Sequence, residues 1–340
     1  MTIKDIAKES GYSVGTVSRV LNNNPSVSET AKKRVMEVVK KNNFQLNSYA
    51  KNLKQRSSDD ILIIVKGSSN MFFASLLESM QKQVEAAGYP LRVNYIDEYE
   101  NEVQKARRQC EICTPRGIIF LGSAIENFEK DFEGITPPCV IATNSAESLH
   151  IRNLSSVATN DRLAAKTALE HLFELGHENI GILGGTSFTS RPVFMRYQGI
   201  KEAFAERGLP FEPDVCYRGA RFSLEDGYAA LNRLLNSYPE MTAVFSMSDM
   251  TAIGAIRALS DRGLTVPGDI SVFGFDGLEL SEYIKPRLTT IRQNKEEISK
   301  RCVEILIEQI GQEEVHPVYE TASFRILKGE SVARLEKVWK

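Results

Sequence analysis

The chain has no apolar run approaching the ~18 residues that a membrane span needs. Its first ten residues, MTIKDIAKES, contain no apolar stretch of the secretory kind. Neither a membrane-spanning nor an exported protein is expected, so a cytoplasmic location follows. Cysteine is sparse: five residues, at 110, 113, 139, 216 and 302, an odd number in 340, which argues against a disulfide framework and for reduced thiols. Cys110 and Cys113 form a lone C-x-x-C on a predicted helix with no second pair nearby. A structural or surface pair is the simpler reading beside zinc or redox work. His150, His171, His177 and His316 show no metal spacing, and His177 follows Gly176 in a helix-ending turn. The run Gly181-Ile-Leu-Gly184-Gly185 does not fit G-x-G-x-x-G and lies mid-chain, which speaks against a Rossmann-type enzyme. No catalytic constellation is found, and no cofactor, no metal and no enzymatic activity are expected.

What is present is a marked charge asymmetry. Residues 1–58 carry 11 Lys/Arg against 4 Asp/Glu, whereas the remainder carries 31 against 40. A basic head on an acidic body suggests that the head meets a polyanion and the body does not. Within the head, Thr2 and Asp5 have the spacing of a capping box, and Ile3, Ile6 and Ala7 follow at helical spacing. Gly11 ends this helix, Ser13 caps the next, and Val17, Val20 and Leu21 share one face of that second helix. Ser26 or Ser28 caps a third helix, ETAKKRVMEVVKK, with Ala31, Val35, Val38 and Val39 as its apolar stripe. Three short helices with a tight turn between the first two make a helix-turn-helix. Gly15, inside the second helix, costs about 1 kcal/mol relative to Ala. Either it is tolerated near a helix start, or it lets the backbone approach base edges in the major groove.

The segment TIKDIAKESGYSVGTVSRVLNNNPSVSETAKKRVMEVVKKNNF resembles the DNA-binding head of the LacI/GalR family of bacterial transcriptional regulators, and TVSRVLN is close to that family's signature. The resemblance implies base contacts from Val14, Gly15 and Arg19 and backbone contacts from Thr16, Ser18 and Asn22. Arg19 suits guanine, whose O6 and N7 match its fork. In QLNSYAKNLKQR (45–56) it implies a hinge helix, with Leu53 as a minor-groove wedge and Ala50 and Lys51 before it. Leu46 stands where many members have proline.

Beyond Asp59-Asp60 the texture alternates. Strands are predicted at 61–65, 91–96, 117–121 and 139–143, with helices at 72–87, 99–113 and 125–133 between them. A second series places strands at 180–185, 242–247, 271–275 and 289–293 and helices at 161–175, 193–207, 223–236, 249–262 and 295–310. The fold class is therefore α/β, a two-lobed, doubly wound body behind an all-α head. Domains are expected at 1–45, 46–58 and 59–340. Ligands of open α/β sheets bind beyond the carboxyl ends of strands, which points to the cleft between lobes.

The body too resembles the family's effector domain, related to periplasmic sugar-binding proteins, through NMFFASLLESM, ELGHENIGILGG, RYQGIKEAF, AVFSMSDMTAIGAIRAL and DISVFGFDGLELSEYIKPRLTTIRQ. The resemblance implies that Phe73 and Phe222 pack on an effector and that Arg196, Ser248, Asp249 and Asp276 make polar contacts. Such a set fits a carbohydrate-like polyol. Each aromatic can equally be core, and Asp249 can equally cap its helix. Thr143 stands where many sugar-responsive members have aspartate, and FDG replaces the frequent FDD. The implied function is a homodimeric DNA-binding repressor of a pseudo-palindromic operator, governed by a carbohydrate-like effector. Alternatives are a non-sugar effector or a protein coregulator. The C-terminal Leu335, Val338 and Trp339 are too few for a tetramerising coiled coil.

Overall fold

The computed structural model describes residues 3–21, 27–42, 57–67, 70–185 and 190–336, in two compact units. Thr2, Asn22, Ser26 and nearly the whole of 46–58, including Leu46, Ala50, Lys51 and Leu53, lie outside the described residues, as do Val338 and Trp339. In the head, α1 (Ile3–Ser10), α2 (Val14–Leu21) and α3 (Glu29–Lys41) enclose Ile6, Ala7, Val17, Val20, Val35 and Val38. Their punctuation is that read from the residues. Gly11 takes φ +80° and its N–H closes on Ala7 O at 3.1 Å. Ser13 Oγ accepts from Thr16 N at 3.1 Å, and Ser28 Oγ accepts from Ala31 N at 3.4 Å. Glu9 fastens the end of α1 to the end of α3, accepting from Lys41 Nζ at 2.9 Å and Asn42 Nδ2 at 3.0 Å.

The body holds two six-stranded sheets. Lobe 1 is built on β1 (Ile61–Lys66), β2 (Leu91–Ile96), β3 (Gly117–Leu121), β4 (Cys139–Ala142), β5 (Leu154–Thr159) and β11 (Tyr319–Ala322), in the order β11-β5-β4-β3-β1-β2. Lobe 2 uses β6 (Ile180–Gly184), β7 (Tyr217–Gly219), β8 (Ala243–Ser246), β9 (Ser271–Asp276), β10 (Thr289–Gln293) and β12 (Phe324–Leu327), in the order β12-β10-β9-β8-β6-β7, all parallel except β12. Inner strands such as β1 and β3 read as unbroken apolar runs because both of their faces are buried. Ile61, Ile63 and Val65 enter one cluster while Leu62 and Ile64 enter another. Lobe 1 carries α4 (Met71–Ala86), α5 (Glu102–Ile112) and α6 (Ile125–Asp131). Lobe 2 carries α7 (Asp161–Glu174), α8 (Arg191–Glu206), the short α9 (Pro213–Cys216), α10 (Leu224–Ser237) and α11 (Asp249–Asp261).

The structure departs from the sequence expectation in the strands β5, β7, β11 and β12, the short helix α9 and the lobe of the last helix. The last helix, α12 (Lys295–Gln309), continues the second series in the chain but buries Ile298, Cys302, Val303, Ile305 and Leu306 in lobe 1. The chain therefore crosses between sheets three times, each time through one residue: Asn160, Asn294 and Ser323. β5 lacks the apolar run of the other inner strands, because LSSVAT carries two buried serines. Their hydroxyls are satisfied inside: Ser155 Oγ accepts from Gln309 Nε2 at 2.9 Å and Val318 N at 3.0 Å, and Ser156 Oγ accepts from Ala146 N at 3.0 Å. His177 does more than follow a turn. Its ring bonds Thr242 Oγ1 and Ala333 O, both at 2.9 Å, and ties the C-terminal segment to lobe 2.

Helices α10 and α11 approach backbone to backbone, and Gly254 makes this possible: a Cβ there would lie 2.0 Å from Leu224 O and 2.9 Å from Tyr228 N. Neither neighbour is a side chain that could rotate away. Gly254→Ala should therefore destabilise the body by about 1–3 kcal/mol, seen as a lower midpoint in thermal unfolding. An unchanged midpoint would show that the two helices part freely.

Candidate functional site

In the head, packing Val17 and Val20 inward turns the opposite face of α2 outward. Val14 is 42% exposed, Gly15 and Arg19 are exposed, and Thr16 is half-buried with its hydroxyl 3.0 Å from Ser13 Oγ. The Ser18 side chain, like Asn22 and Leu53, falls outside the described residues. Gly15 is informative here. A Cβ at that position would meet only Ser13 Oγ, at an ordinary 3.7 Å. Among the described residues no neighbour requires glycine there, and none compensates its cost in helix propensity.

In the body, the other predicted residues lie at or just beyond the carboxyl ends of the strands. There Arg196, Ser248 and Asp276 interact directly, and the unpredicted Ser123 and Asn144 also stand. From lobe 1 come Phe73, Ser123, Thr143 and Asn144. Asn70 caps α4, accepting from Phe72 N at 3.0 Å and Phe73 N at 3.3 Å, and so sets Phe73, whose ring lies over Gly122. The ring is half-buried against the lobe 1 core, and Phe222 is half-buried against the lobe 2 core, so each keeps an open side. Ser123 Oγ is buried with no hydrogen-bond partner among the described residues.

From lobe 2 come Arg196, Ser248 and Asp276. Arg196 is buried on α8; its Nε donates to Asp161 Oδ1 at 2.8 Å, its Nη1 donates to Met247 O at 2.6 Å, and its guanidinium carbon sits 3.6 Å above the Phe275 ring. Burial pushes the Asp161 carboxyl up, and Arg196 pulls it back. Asp276 Oδ1 accepts from Gln293 Nε2 at 3.0 Å, and Gln293 Oε1 accepts from Thr159 Oγ1 at 2.8 Å. One amide thus joins the cleft carboxylate to the first crossing. Asp161, Gln293 and Thr159 were not singled out from the sequence. The available signal was position: each ends a strand or begins the helix after it.

Two of the three described non-glycine residues with positive φ stand at these strand ends, Thr143 at 73° and Asp276 at 121°. Backbone strain of this kind persists where the surroundings over-determine it, commonly at binding sites. A hollow of about 320 Å³ beside the crossings, between Arg292, Asn294, Phe324 and Arg325, shares only Gln293 with this set. It lacks the convergent buried polar groups of the strand ends.

Asp249 lies behind the strand ends rather than beside Asp276's open side. It neither caps α11, whose N-cap is Ser248 without a side-chain bond, nor offers its carboxylate to the cleft. It is fully buried; Oδ1 accepts from Thr290 Oγ1 at 2.6 Å and Oδ2 from Leu278 N at 2.7 Å. Its oxygens are occupied inside lobe 2.

Burial pushes the Asp276 carboxyl up to about 6, against the opposing pull of Arg196 and of hydrogen bonds from Gln293 and Ser248. A carboxyl raised above its ordinary 3.8 favours the fold while protonated, and that contribution is lost as pH rises through about 6. Asp276→Asn, neutral at every pH, should therefore be more stable than the wild type at pH 7.5 by about 1–3 kcal/mol. The gap should close as pH falls toward the ordinary carboxylate range. Chemical denaturation at both pH values measures it, and a gap that widens in acid would contradict this account.

Residues 2–47 match the family model of bacterial regulatory proteins, lacI family, and residues 169–332 match that of the periplasmic binding protein-like domain. The HTH-type transcriptional regulator MalR of Clostridium butyricum is 33% identical over 320 residues, covering 91% of this chain and 93% of that protein. The HTH-type transcriptional repressor PurR of Pasteurella multocida is 31% identical over 329 residues, covering 93% and 96%. Among solved structures, a LacI family regulator from Enterococcus faecium with bound ribose superposes with a TM-score of 0.70 at 25% identity, covering 82% of this chain and all of that one. A transcriptional regulator CelR–cellobiose complex superposes with a TM-score of 0.71 at 22% identity, covering 98% and 100%.

Proposed function

The chain belongs to the LacI family of bacterial regulatory proteins, and from that premise we propose how its residues divide the work. It is a DNA-binding transcriptional regulator of the repressor kind with a ligand-binding body. Residues 1–45 read the operator, 46–58 form the hinge, and 59–340 bind effector and pair two copies, in the cytoplasm. Val14, Gly15 and Arg19 face base edges; Thr16, Ser18 and Asn22 face phosphates; Leu53 wedges the minor groove at the centre of a pseudo-palindrome. The observation that supports the base-reading assignment is Gly15, exposed on α2 with no packing reason to be glycine among the described residues.

In the body, Phe73 and Phe222 cover the apolar side of a carbohydrate-like effector, while Arg196, Ser248 and Asp276 meet its hydroxyls. The ribose in the Enterococcus faecium structure supports this class. Pairing two bodies would cover large apolar side chains that one copy exposes, among them Met71, Tyr95, Tyr228 and Tyr283. A homodimer then presents two heads to two half-sites.

Selection of binding sites from random duplex DNA tests the reading. The wild type should recover a two-fold symmetric site. Arg19→Ala should lose about 1–3 kcal/mol and relax one base pair per half-site. Equal loss on specific and random DNA would demote Arg19 to a phosphate contact. Gly15→Ala should leave the head as stable or slightly more so, yet change the preferred half-site; an unchanged site would return Gly15 to a merely tolerated residue.

For the body, a thermal-shift panel of neutral sugars, sugar acids and purine bases should score among the sugars, and Arg196→Ala should abolish the shift and the effector's influence on DNA binding. A purine base as the sole hit would sink the carbohydrate assignment. Sedimentation should give a dimer at micromolar concentration; a monomer or tetramer would overturn the stoichiometry.

A further inference from the structure

Lobe 2 sends a large side chain into the core of lobe 1. Leu278, just after β9, is buried in the cluster that holds Leu76 and Met80 of α4 and Ile298 and Cys302 of α12. Two residues before it stands Asp276, the carboxylate at the cleft. The piece of chain between them cannot relax freely: Asp276 has φ +121°, Gly277 has φ +70°, and a Cβ at 277 would lie 2.5 Å from Arg292 Cα. The cleft group and the interlobe anchor ride on one short, stiff turn.

Asp249 holds that turn. Oδ2 accepts from Leu278 N at 2.7 Å, the Gly277 backbone also bonds the carboxylate, and Thr290 Oγ1 donates to Oδ1 at 2.6 Å. The group lies against the bare Gly274 of β9, where a Cβ would come 2.3 Å from Oδ1. A carboxyl with no exposure is costly to bury, and here both burial and the nearby Asp276 charge push its pKa up. That cost is offset by what a carboxylate fork can do and a hydrocarbon cannot: accept from consecutive backbone N–H groups on one side and a strand hydroxyl on the other.

We propose that Asp249 is the positioning residue of the effector response, clamping residues 276–278 to β10 so that displacement at Asp276 reaches lobe 1 through Leu278. The proposal rests on the reading of Asp276 as an effector contact. It adds a two-ended element that both the cleft and the lobe interface can bias, as coupling between sites requires.

Amide hydrogen exchange on the full chain, with no effector present, reads the clamp directly. Asp249→Asn should loosen 276–278 and also speed exchange in α4 and α12, on the other lobe, by about 2- to 30-fold, the span of coupling changes of this kind. Leu278→Ala should speed α4 and α12 likewise, and the double variant should add little, because both substitutions cut the same connection. Faster exchange confined to lobe 2 in Asp249→Asn, or additive effects in the double variant, would overturn the clamp. Thr290→Val removes one donor and leaves the turn intact. It should show the same α4 and α12 effect at smaller size, and it decides the matter if Asp249→Asn does not fold. Since no effector enters the measurement, failure of the clamp is distinct from failure of Asp276 as a ligand group, which effector titration of Asp276→Asn tests.

Discussion

Three crossings of the chain between two sheets, each a single residue long, constrain everything the body can do. Asn160, Asn294 and Ser323 stand side by side in function: the first two cap the helices that follow, and Asn294 Nδ2 donates to Ser323 Oγ at 3.0 Å. Links this short leave little freedom except rotation about a hinge. They also bring the carboxyl ends of both sets of parallel strands to one cleft. The side chains that matter chemically stand at strand ends because the crossings put them there.

The cleft is built at a cost to stability. Arg196, Asp161 and Asp276 are buried charges, tolerable only through mutual pairing, the carbonyl of Met247 and the amide of Gln293. Thr143 and Asp276 hold backbone conformations that side chains of their type seldom adopt. Such concessions are ordinary where binding rather than stability has shaped a site. Elsewhere in each lobe the inner strands bury mostly apolar side chains on both faces.

The head solves a different problem. A three-helix unit of this size buries little, so each small device counts: the Ser13 and Ser28 caps, the Gly11 turn and the Glu9 tie between α1 and α3. Against that economy, Gly15 in α2 stands out, since no described neighbour requires it.

Local features of this protein were legible from its sequence. Caps, glycine turns and the 3.6-residue stripe fixed the three head helices within a residue or two, and unbroken runs such as ILIIV announced strands covered on both faces. Periodicity and capping act over a few residues, so a short window contains their cause. What the window did not contain was the choice of partner. LSSVAT is a central strand only because Gln309, Val318 and Ala146 satisfy its serines from afar. The helix after β10 has an apolar stripe that would suit either lobe, and only the crossing at Asn294 assigns it to the first. Asp249 looked like a cap or a ligand because its sequence neighbours are a strand and a helix; the groups it binds, Leu278 and Thr290, are 29 and 41 residues away. Which side chains line the cleft and which hold it from behind is a matter of such long-range hydrogen bonds, and these exist only once both sheets have formed.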